Sequence, residues 1–134
     1  MKSNSVCIDL GSSKTAIYRK DVGIVLREPS VVTLSRDERR KIKEVGVNAK
    51  KLIGRVSDSS EIVKPIFESL VEDEFSASGM VDVFLNKISL HKLSARPSVL
   101  MNVPCGIDSI GLRRFERVLK EADVTDYNFV ESPI

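Results

Sequence analysis

The apolar positions fall in short blocks in the first part of the chain and in longer helical periods further on. Val6–Leu10 is a brief apolar run closed by a glycine, which predicts a buried strand. Thr15–Arg19, with β-favouring Thr15, Ile17 and Tyr18, predicts a second, and Asp21 and Gly23 supply the turn after it. The stretch IVLREPSVVTL predicts two strand segments separated at Pro29, because proline cannot donate to a central ladder. SRDERRKIKEV reads as a charged hairpin tip and then a strand running into Gly46. NAKKLIG predicts a short helix stopped at Gly54.

From Ser59 to Phe75 two readings stand. Ile66, Phe67, Leu70 and Val71 fit a helical period with Pro65 in its first turn, and the same letters fit a turn and a short strand. Ser78 is the expected N-cap of a helix whose inner stripe is Val81, Phe84, Leu85 and Ile88. SLHKLSARP is a loop, and SVLMNV a strand apolar enough for burial on both faces. Asp108 is placed to cap a helix with Leu112, Phe115, Val118, Leu119 and Ala122 inward, and with Arg113, Arg114, Arg117 and Lys120 outward. DYNFV closes the pattern as a strand.

Strand, helix and strand from Ser98 to Val130 require a parallel pair joined by a right-handed crossover. The head reads as an antiparallel three-strand meander. Meander followed by βαβ makes a mixed α/β sheet. Residues 30–93 form an insert between the two parts, with strands and a helix of its own. There are no internal repeats.

Composition narrows the class without choosing a function. The chain has 134 residues, 30% charged and 42% hydrophobic, as a globular domain does. No apolar run approaches the roughly 18 residues that span a bilayer, and the N-terminus lacks a signal peptide's apolar core. A formal net charge of +2 is too small to argue for nucleic acid, which is not an expected partner. Cys7 and Cys105 have neither metal-ligand nor disulfide-framework spacing and are expected to be buried free thiols in a reducing cytoplasm. The single histidine, His91, sits in the SLHKLSARP loop and offers no catalytic triad.

The residues that bear chemistry stand at the end of the first strand, in Asp9-Leu10-Gly11-Ser12-Ser13-Lys14-Thr15. Gly11 lets the backbone approach a ligand closely. The amides of Ser12, Ser13 and Lys14 can line one concavity for phosphate oxygens, with the serine hydroxyls and the Lys14 ammonium as further donors. Asp9 can hold the water shell of a magnesium ion bridging those oxygens. No helix follows the loop, so it is neither a Walker loop nor a Rossmann turn. The same residues also suit a plain tight hairpin.

The chain resembles, nearly end to end, the N-terminal part of the MreB family of bacterial actin-like filament proteins. IDLGSSKT is similar to that family's first phosphate loop, and GIVLREPSVVTL to the strands after it. VGVNAKKLIGR, RPSVLMNVPCGI and VESPI resemble three further family segments, in family order. The resemblance implies an α/β actin-like, RNase H-like mixed sheet (subdomain IA, residues 1–29 and 94–134) with a small inserted α+β subdomain IB at 30–93. It implies an ATP-binding cytoskeletal filament protein of cell-shape determination. Asp9 would face magnesium through water. Gly11, Ser12, Ser13 and Lys14 would wrap the β- and γ-phosphates, and Glu131 would orient the attacking water.

Several positions depart from the family. Lys14 stands where the family has a smaller polar residue, so its ammonium either compensates phosphate charge or is solvated. The family's second glutamate is Ser132, its turn serine is Cys105, and its Lys-Asp-Gly turn is Phe67-Glu68-Ser69. The family's second phosphate loop and adenosine pocket would follow Ile134. The chain by itself is therefore expected to bind ATP weakly and hydrolyse it negligibly, and to leave a strand edge open to self-association. Leu90 and Leu93, beside Lys87, Lys92 and Arg96, either contact the inner face of the membrane or cover the hinge of the insert. The competing function is a non-polymerising interaction module without effective nucleotide binding.

Overall fold

The computed structural model describes residues 5–55, 59–88 and 96–132. Among these it has β1 (Ser5–Leu10), β2 (Lys14–Arg19), β3 (Gly23–Pro29), β4 (Val32–Ser35), β5 (Ile42–Val45), α1 (Val47–Lys50) and β6 (Ser60–Val63). There follow β7 (Ile66–Phe67), β8 (Leu70–Val71), α2 (Glu74–Ile88), β9 (Ser98–Val103), α3 (Ser109–Glu121) and β10 (Tyr127–Glu131).

The main sheet runs β10-β9-β1-β2-β3. Strands β1, β2 and β3 are the expected antiparallel meander, and β9 pairs parallel with both β1 and β10. Alternation decides which side chains enter the core. Val6, Ile8 and Leu10 are buried while Asp9 between them is exposed, and Val99, Met101 and Val103 repeat the pattern on β9. The insert adds a β5-β4-β6 sheet and the β7–β8 hairpin. One contiguous apolar cluster runs through both parts, from Ile8 and Met101 to Val32, Leu34 and Val45. Helix α2 packs on α3, β3 and β5 and so helps join them, together with the α1–β3 and β8–α3 contacts.

One open reading is resolved and three expectations need correction. The segment after Ser59 forms strands. The four residues of the helical period pair as the β7–β8 hairpin, and the carbonyl of buried Pro65 accepts from the amides of Glu72 (2.8 Å) and Asp73 (3.2 Å) as the chain reverses. Glu68 and Ser69 make that reversal at φ 49° and 67°, the left-handed region that a tight two-residue hairpin requires. Helix α2 begins earlier than expected and is capped by Asp73, which accepts from the Ser76 amide (3.4 Å) and hydroxyl (2.9 Å). Ser78 lies inside the helix and donates to the Phe75 carbonyl. Helix α1 stops at Lys50, four residues short of Gly54, and continues as turns. Arg114 does not face freely outward, because its guanidinium donates to the Glu72 carbonyl at 2.8 Å.

Asp108 does cap α3, accepting from the Gly111 amide at 2.7 Å. Asp108→Ala is expected to cost about 1 kcal/mol, read as a lower urea midpoint at unchanged m-value.

Candidate functional site

The site lies where β1 turns into β2. Leu10 pairs with Thr15, leaving four residues to close the hairpin. The Gly11 amide donates to the Lys14 carbonyl at 3.0 Å, and a Cβ on Gly11 would sit 2.7 Å from that same oxygen. Closure of the hairpin itself therefore demands glycine here, and the amide is committed to it. Two neighbouring segments hold the turn. The Ser13 carbonyl accepts from the Ser30 amide (2.9 Å), and the Ser12 hydroxyl accepts from the Ser69 amide (3.0 Å). Below it the buried Thr15 and Ser30 hydroxyls share a 2.8 Å hydrogen bond. The amides of Ser12 and Ser13 have no acceptor among the described residues.

On one side of the turn is a cavity of about 300 Å³, lined by Asp9, Gly11, Ser69, Asn102, Cys105 and Ser132, among others. It opens at the carboxyl ends of the parallel strands, the usual place for a ligand in an open α/β sheet. The parallel register sets Asp9 opposite Asn102, and the Ser132 amide extends the β9–β10 ladder to the Val103 carbonyl at 2.7 Å. Asp9 is exposed and has no ion-pair partner among the described residues. Among the described residues no group of three or more acidic, histidine or cysteine side chains gathers around a point, so they form no all-protein metal cage. A single free carboxylate suits a magnesium ion that keeps its waters.

The predicted site residues are thus only partly gathered. Asp9 and Gly11 line this cavity, whereas Ser12 and Ser13 line a second one across the turn. Lys14 is exposed opposite Pro29 and lines neither. Glu131 is exposed at the end of β10, and its neighbour Ser132 lines the first cavity in its place. Asn102 and Ser69 were missed by sequence reasoning. They reach the cavity through β1–β9 pairing and the Ser12–Ser69 bond, and neither contact leaves a local signal. Leu90, His91 and Leu93 lie outside the described residues.

The two thiols are not equally buried. Cys7 is half-buried, and burial, then the Asp9 charge, push its pKa up, whereas Cys105 is exposed in the first cavity's wall. Only the thiolate reacts, so iodoacetamide is expected to label Cys105 well before Cys7, as peptide mass mapping would read.

The sheet order, with a hairpin meander on one side of β1 and parallel strands on the other, defines a protein of the actin-like fold. The chain belongs to the MreB/Mbl family, whose model, described as MreB/Mbl protein, matches residues 3–134. It is 30% identical over 138 residues to the cell shape-determining protein MreB of Escherichia coli K12, covering 100% of this chain and 40% of that protein. With the cell shape-determining protein Mbl of Bacillus subtilis it shares 31% identity over 122 residues, 91% of this chain and 35% of that one. Among solved structures, MreB 5 of Spiroplasma citri bound to AMPPNP superposes with a TM-score of 0.79 at 19% identity, over 95% of this chain and 38% of that one. A MamK double helical filament gives 0.74 at 16%, over 96% and 41%. The chain thus spans about 40% of the length of the MreB relatives it matches.

Proposed function

We propose that the chain serves as the nucleotide-facing N-terminal portion of an MreB-type cytoskeletal filament protein acting in cell shape in the cytoplasm. In this reading residues 1–29 and 94–134 form subdomain IA and residues 30–93 form subdomain IB. The observation that carries the proposal is the free Asp9 carboxylate in a cavity at the carboxyl ends of β1 and β9, beside a turn with two unbonded amides. The turn's amides and hydroxyls would take β- and γ-phosphate oxygens, with Gly11 shaping the bend and Lys14 adding long-range positive charge. Asp9 would hold water around magnesium, and the ion would supply charge neutralisation between phosphates. Hydrolysis would call on Glu131, exposed at the same end of the sheet, to orient the attacking water. Support also comes from relatives solved with AMPPNP and with ADP.

Self-association follows from the family and from the free side of β10, which has only β9 beside it among the described residues. No helix among those residues is long and apolar enough to cross a membrane. A peripheral contact through Leu90 and Leu93 is a separate part of the proposal, tested by liposome co-sedimentation of the Leu90→Ser, Leu93→Ser variant.

The test is titration of the chain with a fluorescent ATP analogue, with and without magnesium, beside light scattering. Magnesium-dependent binding that Asp9→Asn weakens about tenfold is the expected result, with scattering that rises on adding ATP. Association indifferent to ATP, with no magnesium-dependent affinity, would replace this reading with the interaction module.

A further inference from the structure

The meander has one covered face and one open face. Ile8, Ile17 and Leu26 share a single apolar cluster with Phe84 of α2 and Phe115 of α3. The pleat turns the alternate residues of the same strands the other way. Register lines these up in rows across the three strands. Cys7, Tyr18 and Ile24 form one row, and Asp9, Ala16 and Arg27 form the next. Cys7 is half-buried, while Tyr18 and Ile24 are 39% and 51% exposed. Asp9 and Arg27 are exposed, and neither has an ion-pair partner among the described residues.

This pattern is complementary to itself. The charged row carries opposite signs at equal distances on either side of Ala16, one strand away in each direction. The apolar row is centred on Tyr18 in the same way. A second copy turned by 180° about an axis along β2 therefore sets Asp9 opposite the other copy's Arg27, and Cys7 opposite its Ile24. Tyr18 meets Tyr18, and the small Ala16 meets Ala16 where the sheets must come close. Aligned sheets pack about 10 Å apart, a gap that such side chains fill. The like-charged Lys14 pair falls at the end of β2, on the rim, where long side chains keep their ammonium groups in water. Burial of the apolar row favours contact, and the two charge pairs fix its orientation and register.

We propose that the open face of β1, β2 and β3 is a homodimer interface, on which a second copy of this chain packs face to face about a two-fold axis along β2. The contact needs neither metal nor nucleotide and does not rest on the nucleotide reading. It is also separate from the free side of β10, which lies two strands beyond β1. Three facing strands, about 15 Å by 20 Å, make a small interface, so the dimer is a weak one.

The experiment is sedimentation equilibrium of the full chain in EDTA without nucleotide. A monomer–dimer equilibrium with a dissociation constant of order 10–100 μM is expected. Tyr18→Lys, at the centre of the contact, should weaken it about tenfold. Asp9→Arg and Arg27→Asp should each weaken it about fivefold, and the two combined should recover most of that loss, because opposite charges face each other again. Loss of folding alone cannot produce that recovery. Asn128→Lys, on the same face but on β10 and outside the overlap, should leave the dimer unchanged. The proposal is overturned by a chain that stays monomeric up to about 1 mM, or by a double swap as weak as its single variants. Equal loss in Asn128→Lys also overturns it, by moving the contact to the β10 side. With magnesium and nucleotide both absent, failure of the nucleotide reading leaves this result untouched, and a failed dimer leaves that reading standing.

Discussion

Gly46→Ala is expected to destabilise the chain by about 3 kcal/mol, from backbone strain and overpacking together. Gly46 is buried at φ 66° and ψ −131°, a conformation open essentially to glycine alone. A Cβ there would stand 2.2 Å from Glu28 Oε1 and 3.0 Å from Phe84 Cε1. Neither neighbour is free to retreat. The Glu28 carboxylate accepts from the Val47 amide (3.1 Å) and from Lys87 Nζ (2.8 Å), while the Gly46 amide donates to the Val31 carbonyl (2.8 Å). The measurement is urea denaturation followed by circular dichroism at 222 nm, since the chain has no tryptophan to report. Glu28→Ala removes the closest obstacle, so the Gly46→Ala, Glu28→Ala pair should lose less than the sum of its parts. Strict additivity would show that backbone strain alone carries the effect.

Phe84→Ala is expected to cost about 4 kcal/mol, the typical result of emptying a large aromatic site in a core that relaxes only partly. Phe84 is fully buried on α2 and belongs to the cluster shared by the main sheet and the insert. With a total stability of order 5–15 kcal/mol for such a domain, that loss brings the chain near its unfolding threshold. Because α2 touches α3, β3 and β5 alike, both parts should melt together. Two separate transitions in the variant would show that the insert holds a core of its own.

Much of the fold was legible because its signals are local. The Val6–Leu10 apolar run, the break at Pro29, the charged tip before β5 and the Asp108 cap each declare themselves within a few residues. The resemblance to MreB proteins was legible for the same reason, as five motifs in order. The region from Ser59 was not legible, because Ile66, Phe67, Leu70 and Val71 satisfy a helical period and a hairpin equally well. The start of α2 was misplaced because two serines and an aspartate compete for the cap, and Asp73 wins through its two bonds to Ser76. Cys105 was expected to be buried, but its turn carries it to the mouth of the sheet, where it is exposed.

The amino-acid order alone determined the strand–turn–strand head, the crossover tail and the family, since each depends on contacts between near neighbours or on short fixed motifs. Only the tertiary structure decided what surrounds the first turn. Asn102 reaches Asp9 across 93 positions of chain, and Ser69 reaches Ser12 across 57. Strand register and the path of the insert bring these groups together. No local pattern encodes either one, and so the surroundings of the turn became visible only in three dimensions.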